Sequence, residues 1–227
     1  MAAGVTSLKR AVRCAALLLF CSVGSAMPDE AAERQLVVSA INGNIDGVRQ
    51  ALKNGASINV RDSRGRTPLL IATHADNVEM ARVLIAAAAD VNAKDHIEDS
   101  PYLYAGAEGR NEILRMALEA GADLKSTNRY GGTALIPAAH HGHPETVAIL
   151  LRTRIDKDHV NKLGWTALLE AVILGDGGPT YARIVQMLVK GGANPNIADR
   201  NGVTPLGHAH ARNLTEIAKI LEAAGAR

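Results

Sequence analysis

The fold class this sequence predicts is all-α: a solenoid of about six helix–turn–helix repeats joined by short hairpin-like turns. Three observations carry that prediction. Segments beginning at Thr67, Ser100, Thr133, Thr166 and Thr204 align with one another, their starts 33 residues apart three times and then 38. Each opens on a hydroxyl residue suited to cap a helix, and each holds two short stretches of helical apolar spacing. A fixed period of this size marks stacked repeats. Two short helices cannot bury their apolar face alone, whereas neighbours stacked on them can.

The elements follow in chain order. Residues 1–26 have the layout of a secretory signal peptide: Lys9, Arg10 and Arg13, then the apolar run CAALLLFCSV, then Gly24-Ser25-Ala26. The run is too short to span a bilayer of roughly 30 Å. Cleavage after Ala26 is expected, with no membrane span left afterwards. Both cysteines, Cys14 and Cys21, fall inside this segment, so the remaining chain has neither disulfides nor thiol chemistry. Its charge becomes 25 − 3 = 22 basic against 23 acidic residues, net −1. No concentrated basic face for nucleic acid is expected from that balance. The expected location is the periplasm of a Gram-negative bacterium.

The rest of the chain, 27–227, reads as one repeat domain, with units near 34–66, 67–99, 100–132, 133–165, 166–203 and 204–227. The first unit, from "LVVSAINGNIDGVRQALKNGASIN", lacks the Thr-Pro entry, as suits a terminal cap. In the others Thr67, Ser100, Thr133, Thr166 and Thr204 are predicted N-caps. Pro68, Pro101 and Pro205 follow at the first helical position, where a missing N–H costs nothing. First helices run to Gly43, Gly109, Gly142 or Gly175, and second helices to left-handed C-caps at Gly55, Gly121, Gly192 or Gly225. Two second helices carry Ala88 or Arg154 where the glycine belongs, so both side chains are expected to be strained at positive φ. Pro137 interrupts the first helix of the Thr133 unit, which is expected to be less regular than its neighbours.

The motifs "TPLLIA", "GADL", "GHPETVAILL" and "DRNGVTPL" resemble the ankyrin repeat over about residues 34 to 227. More narrowly, "TALIPAAHHGHPETVAILL", "LGWTALLEAVILGDGG" and "DRNGVTPLGHA" look like an exported bacterial ankyrin-repeat family. That resemblance implies a periplasmic binding or chaperone-like role, with the partner held in a concave groove. The groove would be lined by the turn tips and by the pair of residues ending each first helix. By that alignment its first part holds Ser63, Arg64, Arg66, His74, His96, Asp99 and Glu108. Its middle holds Arg129, Tyr130, His140 and His141, followed by Lys162, Leu163, Trp165, Ile173 and Leu174, with Arg200, Asn201, Val203 and Arg212 at the far end.

Trp165 is the sole tryptophan. Aromatic and arginine side chains dominate binding hot spots, so the expected partner site centres on Trp165, Leu163, Ile173, Leu174 and Tyr130. The competing reading folds Trp165 onto Leu163 and the insertion Asp176–Thr180, a shaped turn that either rims the groove or is merely tolerated. The "HHGHPE" run offers a second function, metal or small-ligand binding through His140, His141 and His143, with Glu145 and His159 nearby. Rings on either side of Gly142 are expected to diverge, against the convergence zinc requires. A self-associating structural module is the third reading, though a monomer is expected. No nucleophile, P-loop or dinucleotide motif is present, so neither an enzyme nor a cofactor is expected.

Overall fold

A computed structural model describes residues 29–227, and the predicted signal segment lies outside them. The described chain forms six helix pairs. These are α1 (Glu30–Ile41) with α2 (Ile45–Lys53), α3 (Pro68–His74) with α4 (Val78–Ala86), and α5 (Pro101–Ala107) with α6 (Asn111–Glu119). Then come α7 (Leu135–His140) with α8 (Pro144–Leu151), α9 (Ala167–Leu174) with α10 (Pro179–Lys190), and α11 (Pro205–Ala211) with α12 (Thr215–Ala223). No strand occurs among the described residues, and α1 opens ahead of residue 34. The odd-numbered helices stack in one row and the even-numbered ones in another. The all-α solenoid is therefore observed as predicted.

The seam between units is built from positions that recur at the repeat period. Leu69, Tyr102, Leu135, Leu168 and Leu206 occupy one buried row. Ala72, Ala105, Ala138, Ala171 and Ala209 form a second, where only a methyl separates neighbouring first helices. In the second helices Leu84, Ala117, Leu150, Leu188 and Leu221 are buried in the same register. The remaining faces of the first helices and turns are thereby free of packing duty.

The caps hold with one exception. Hydroxyls of Thr67, Ser100, Thr166 and Thr204 each accept the backbone N–H three residues on at 3.2 Å. Thr133 does not: its hydroxyl is buried without a partner, and α7 starts late, after Ala134. The cause is Pro137, which has no N–H to give the Thr133 carbonyl. Ile136 donates to that carbonyl instead, at 3.1 Å, in a tighter turn.

The two glycine-less C-caps part company. Ala88 sits at φ 64°, the left-handed conformation expected of it. Arg154 is not among the residues at positive φ, which corrects the expectation of strain there. The chain leaves α8 by another route, in which Thr153 donates its hydroxyl to the Leu150 carbonyl and accepts the Ile155 N–H. Gly43, Gly109 and Gly142, which follow other first helices, are left-handed, whereas Gly175 is extended at φ −66° and ψ 157°. It is glycine because the Tyr181 ring and the Ala171 carbonyl lie where a Cβ would be.

The insertion Asp176–Thr180 adds to the start of α10, and Gly177 packs against Leu214 of the last unit. It lies over the second helices rather than along the first-helix groove.

Ala88→Gly relieves a real left-handed penalty and should stabilise by about 1 kcal/mol. Arg154→Gly relieves none and should lower stability by roughly 0.5 kcal/mol through unfolded-chain entropy. Denaturant unfolding of both variants checks the pair, and a stabilising Arg154→Gly would contradict the observed backbone.

Candidate partner-binding groove

Each turn tip is held by one side chain acting as a local template. Asp62, Asp95, Asn128, Asn161 and Asp199 each accept two N–H groups of their own loop, two and four residues on, at 2.9–3.0 Å. This pins the loop so that its third residue projects outward. In three successive tips that residue is apolar: Ile97, Tyr130 and Leu163, exposed by 50%, 55% and 50%. Neighbouring tips are laced together, since Lys162 N–H donates to the Tyr130 carbonyl at 2.9 Å and His96 N–H to the Arg64 carbonyl at 3.1 Å.

Behind the tips that close the second to fourth units opens a cleft of about 440 Å³. Its apolar walls are Tyr104, Ala107, Ile136, Pro137, Leu163 and Leu174, and Tyr130 stands at its edge. Its ionisable groups are Asp99, Glu108, Arg129, His140, His141 and Glu170. Of the residues predicted from sequence, Tyr130, Arg129, His140, His141, Leu163 and Leu174 meet there. Trp165, Ile173, Lys162 and Arg200 are placed elsewhere. Trp165 is half-buried two residues past the exposed tip position, and Ile173 is half-buried on α9. Lys162 reaches sideways to the Arg129 carbonyl at 2.8 Å, and Arg200 donates to the Lys162 carbonyl. Arg212 closes the end of α9 by donating to the carbonyls of Val172 and Gly175.

The residue absent from the groove expected by sequence is Glu170. It is the fifth residue of its unit, where the others carry Ile71, Tyr104, Pro137 and His208. Only 5% of it is exposed, yet it lines the cleft. One carboxylate oxygen accepts the Asn161 side-chain amide at 2.7 Å, and His140 Nδ1 lies 3.5 Å from the other. Burial raises the Glu170 pKa above the ordinary carboxylate range, against the pull of the Asn161 hydrogen bond. Burial, helped by neighbouring His141, lowers that of His140 and so favours its neutral form. Asp99 is raised by burial and by nearby Asp95, with Arg129 opposing at 3.8 Å. The Arg129 guanidinium in turn lies 4.9 Å from the Tyr130 ring centre.

The histidines do not converge. The rings of His140 and His141 are tilted by 54°, and those of His141 and His143 by 87°. His141 Nδ1 donates to the Ala107 carbonyl and His159 Nε2 to that of Gly131, each at 2.7 Å. Among the described residues no three metal-ligating side chains are placed around one point.

A groove of this kind, on stacked helix pairs with tethered tips, defines a stacked-repeat solenoid that presents side chains along one face. The profile of the ankyrin-repeat family (three copies) matches residues 8–95 and 102–199, and the chain belongs to that family. Ankyrin repeats generally mediate protein–protein interaction, and their domains are typically non-catalytic. The crystal structure of an ankyrin repeat domain from Acinetobacter baumannii AYE is 57% identical, with a TM-score of 0.83 over 85% of this chain and 98% of that one. The ankyrin repeat protein EF0377 is 43% identical, with a TM-score of 0.81 over 84% and 97%. The ankyrin repeat domain of Bcl-3, of the IkappaB family, is 28% identical, with a TM-score of 0.76 over 85% and 86%. The ankyrin repeat protein YahD of Escherichia coli (strain K12) is 49% identical over 57 residues, 25% of this chain and 28% of that protein.

Glu170→Gln keeps the Asn161 hydrogen bond and removes a carboxylate that burial disfavours. A raised native pKa contributes stability fully below the ordinary value of 4.5 and loses it as pH rises through the native value. The variant should therefore match wild type in acid and exceed it in melting temperature from mildly acidic to neutral pH. His140, lowered in pKa by burial, loses stability as pH falls below 6.5. A neutral-pH melting temperature below wild type would show the charge to be structurally required.

Proposed function

We propose that this protein is an exported, non-catalytic scaffold that holds a protein partner in its concave groove. The observation that carries the reading is the run of exposed apolar side chains at Ile97, Tyr130 and Leu163, continued by Leu174, beside the charged cleft. A compact apolar patch rimmed by charge marks a partner site. The side chains are fixed from beneath by the tip templates, so little entropy is lost when they are covered.

Export rests on the basic, apolar and small-residue order of residues 1–26 and on the absence of cysteine after them. No helix among the described residues is long and apolar enough to cross a membrane. The proposed setting is the periplasm of a Gram-negative bacterium, where the chain works as a monomer in a holding or chaperone-like role.

Two measurements test this. Fractionation followed by N-terminal sequencing should find a chain beginning at Met27 outside the cytoplasm, and an intact chain retained inside would overturn the export. Affinity capture from periplasmic extract should yield a partner that wild type holds and Leu163→Asp or Tyr130→Ser releases. Each of these substitutions removes a hot-spot contact worth about 2 kcal/mol, some thirtyfold in affinity. An unchanged set of captured proteins with both variants would remove the groove from consideration.

A further inference from the structure

We propose that the cleft between the third, fourth and fifth repeats is a socket for one lysine or arginine side chain of the protein partner, with Glu170 as its counter-charge. The inference rests on the groove reading and narrows it to a chemistry.

Charge is the first argument. The cleft holds three carboxylates, Asp99, Glu108 and Glu170, against one permanent cation, Arg129. Arg129 is committed to Asp99 and to the face of Tyr130. The nearest basic groups to the other two carboxylates are imidazoles, His141 at 3.6 Å from Glu108 and His140 at 3.5 Å from Glu170. Two negative charges are thus left facing the cleft without a permanent counter-ion among the described residues.

Burial is the second. A carboxylate withdrawn from water is costly unless its oxygens are satisfied and its charge is paired. Asn161 satisfies one oxygen of Glu170, while the other accepts no hydrogen bond among the described residues. An entering ammonium or guanidinium supplies both the missing donor and the missing charge. The packing of the seam does not require a carboxylate here, because the equivalent positions elsewhere are filled by Ile71, Tyr104, Pro137 and His208.

Shape is the third. Tyr104, Ile136, Leu163 and Leu174 give apolar lining to the same cleft that Glu170 lines. That suits a side chain whose methylene stem is buried while its charged end is held. Partner residues on either side of the cation would then rest on Tyr130 and Leu163. Discrimination comes from the penalty for the wrong guest: an acidic side chain is repelled, and a neutral one leaves Glu170 buried and unpaired.

The test uses acetyl-Leu-Arg-Leu-amide and the same peptide with citrulline, which keeps the shape of arginine and removes its charge. NMR titration of the full-length protein follows the ring signals of Tyr130 and His140. Wild type should bind the arginine peptide at least tenfold more tightly, the size expected for a desolvated charge-assisted pair. In Glu170→Gln, whose fold is checked by its melting temperature, the preference should vanish. Equal binding of the two peptides to wild type, a preference that survives in Glu170→Gln, or no shift of either ring at millimolar peptide would each overturn the socket. A captured partner held equally by wild type and Glu170→Gln but released by Leu163→Asp would sink the socket while leaving the groove intact.

Discussion

The constraint on which everything else depends is the shared seam. No helix pair here has an interior of its own, so each unit borrows its neighbour's apolar face, and the side chains at that face must recur in register. The alanine row from Ala72 to Ala209 shows how strict this is, for a single methyl group recurs at the seam of every first helix from α3 to α11. Once that row and its leucine companions are fixed, the fold has no further demand on the tips or on the outward positions of the first helices. Functional variety is confined to those places by elimination.

The fourth and fifth units are where the seam is least regular, and they flank the cleft. Pro137 leaves the Thr133 hydroxyl buried and unpaired, a burden of about 1–3 kcal/mol that the other four capped units avoid. The same proline helps to wall the cleft. Across from it, Tyr181 reaches back to donate to the His140 carbonyl at 2.7 Å, an arrangement that needs the longer α10 and the missing side chain at Gly175. Local stability is given up at Thr133, beside the cleft that holds the buried Glu170. Proteins commonly accept such losses where a surface must stay available to another molecule.

Most of the fold was legible because periodicity over-determines it: capping hydroxyls, helix-starting prolines and apolar rows all point to the same boundaries. The misreadings arise where backbone conformation depends on what a neighbour can lend. Ala88 and Arg154 occupy equivalent places in the alignment. Only the second has Thr153 beside it to redirect the chain, so only the first is left-handed. In the groove, the exposed tip position is the third residue of the loop, which Leu163 fills. Trp165 lies two further along, in the half-buried register of Arg66 and Asp99. Glu170 escaped because the groove was assigned to the ends of the first helices. The available signal was an acidic residue in a row otherwise made of Ile71, Tyr104, Pro137 and His208.

That row also explains the choice of tip residue. Nine residues separate Asn161 from Glu170, and nine separate Asp199 from His208; both pairs are hydrogen-bonded, at 2.7 and 2.9 Å. The tip side chain must accept two backbone N–H groups from its own loop whatever else it does, and aspartate or asparagine serves equally for that. Where the fifth position is polar, it decides between them. Opposite His208 an aspartate can accept from the ring, whereas opposite Glu170 a second carboxylate would repel, and only asparagine offers a donor. The presence of asparagine at 161 therefore follows from the demand made by Glu170. The tip has been adapted to support a buried negative charge that the stack itself has no use for.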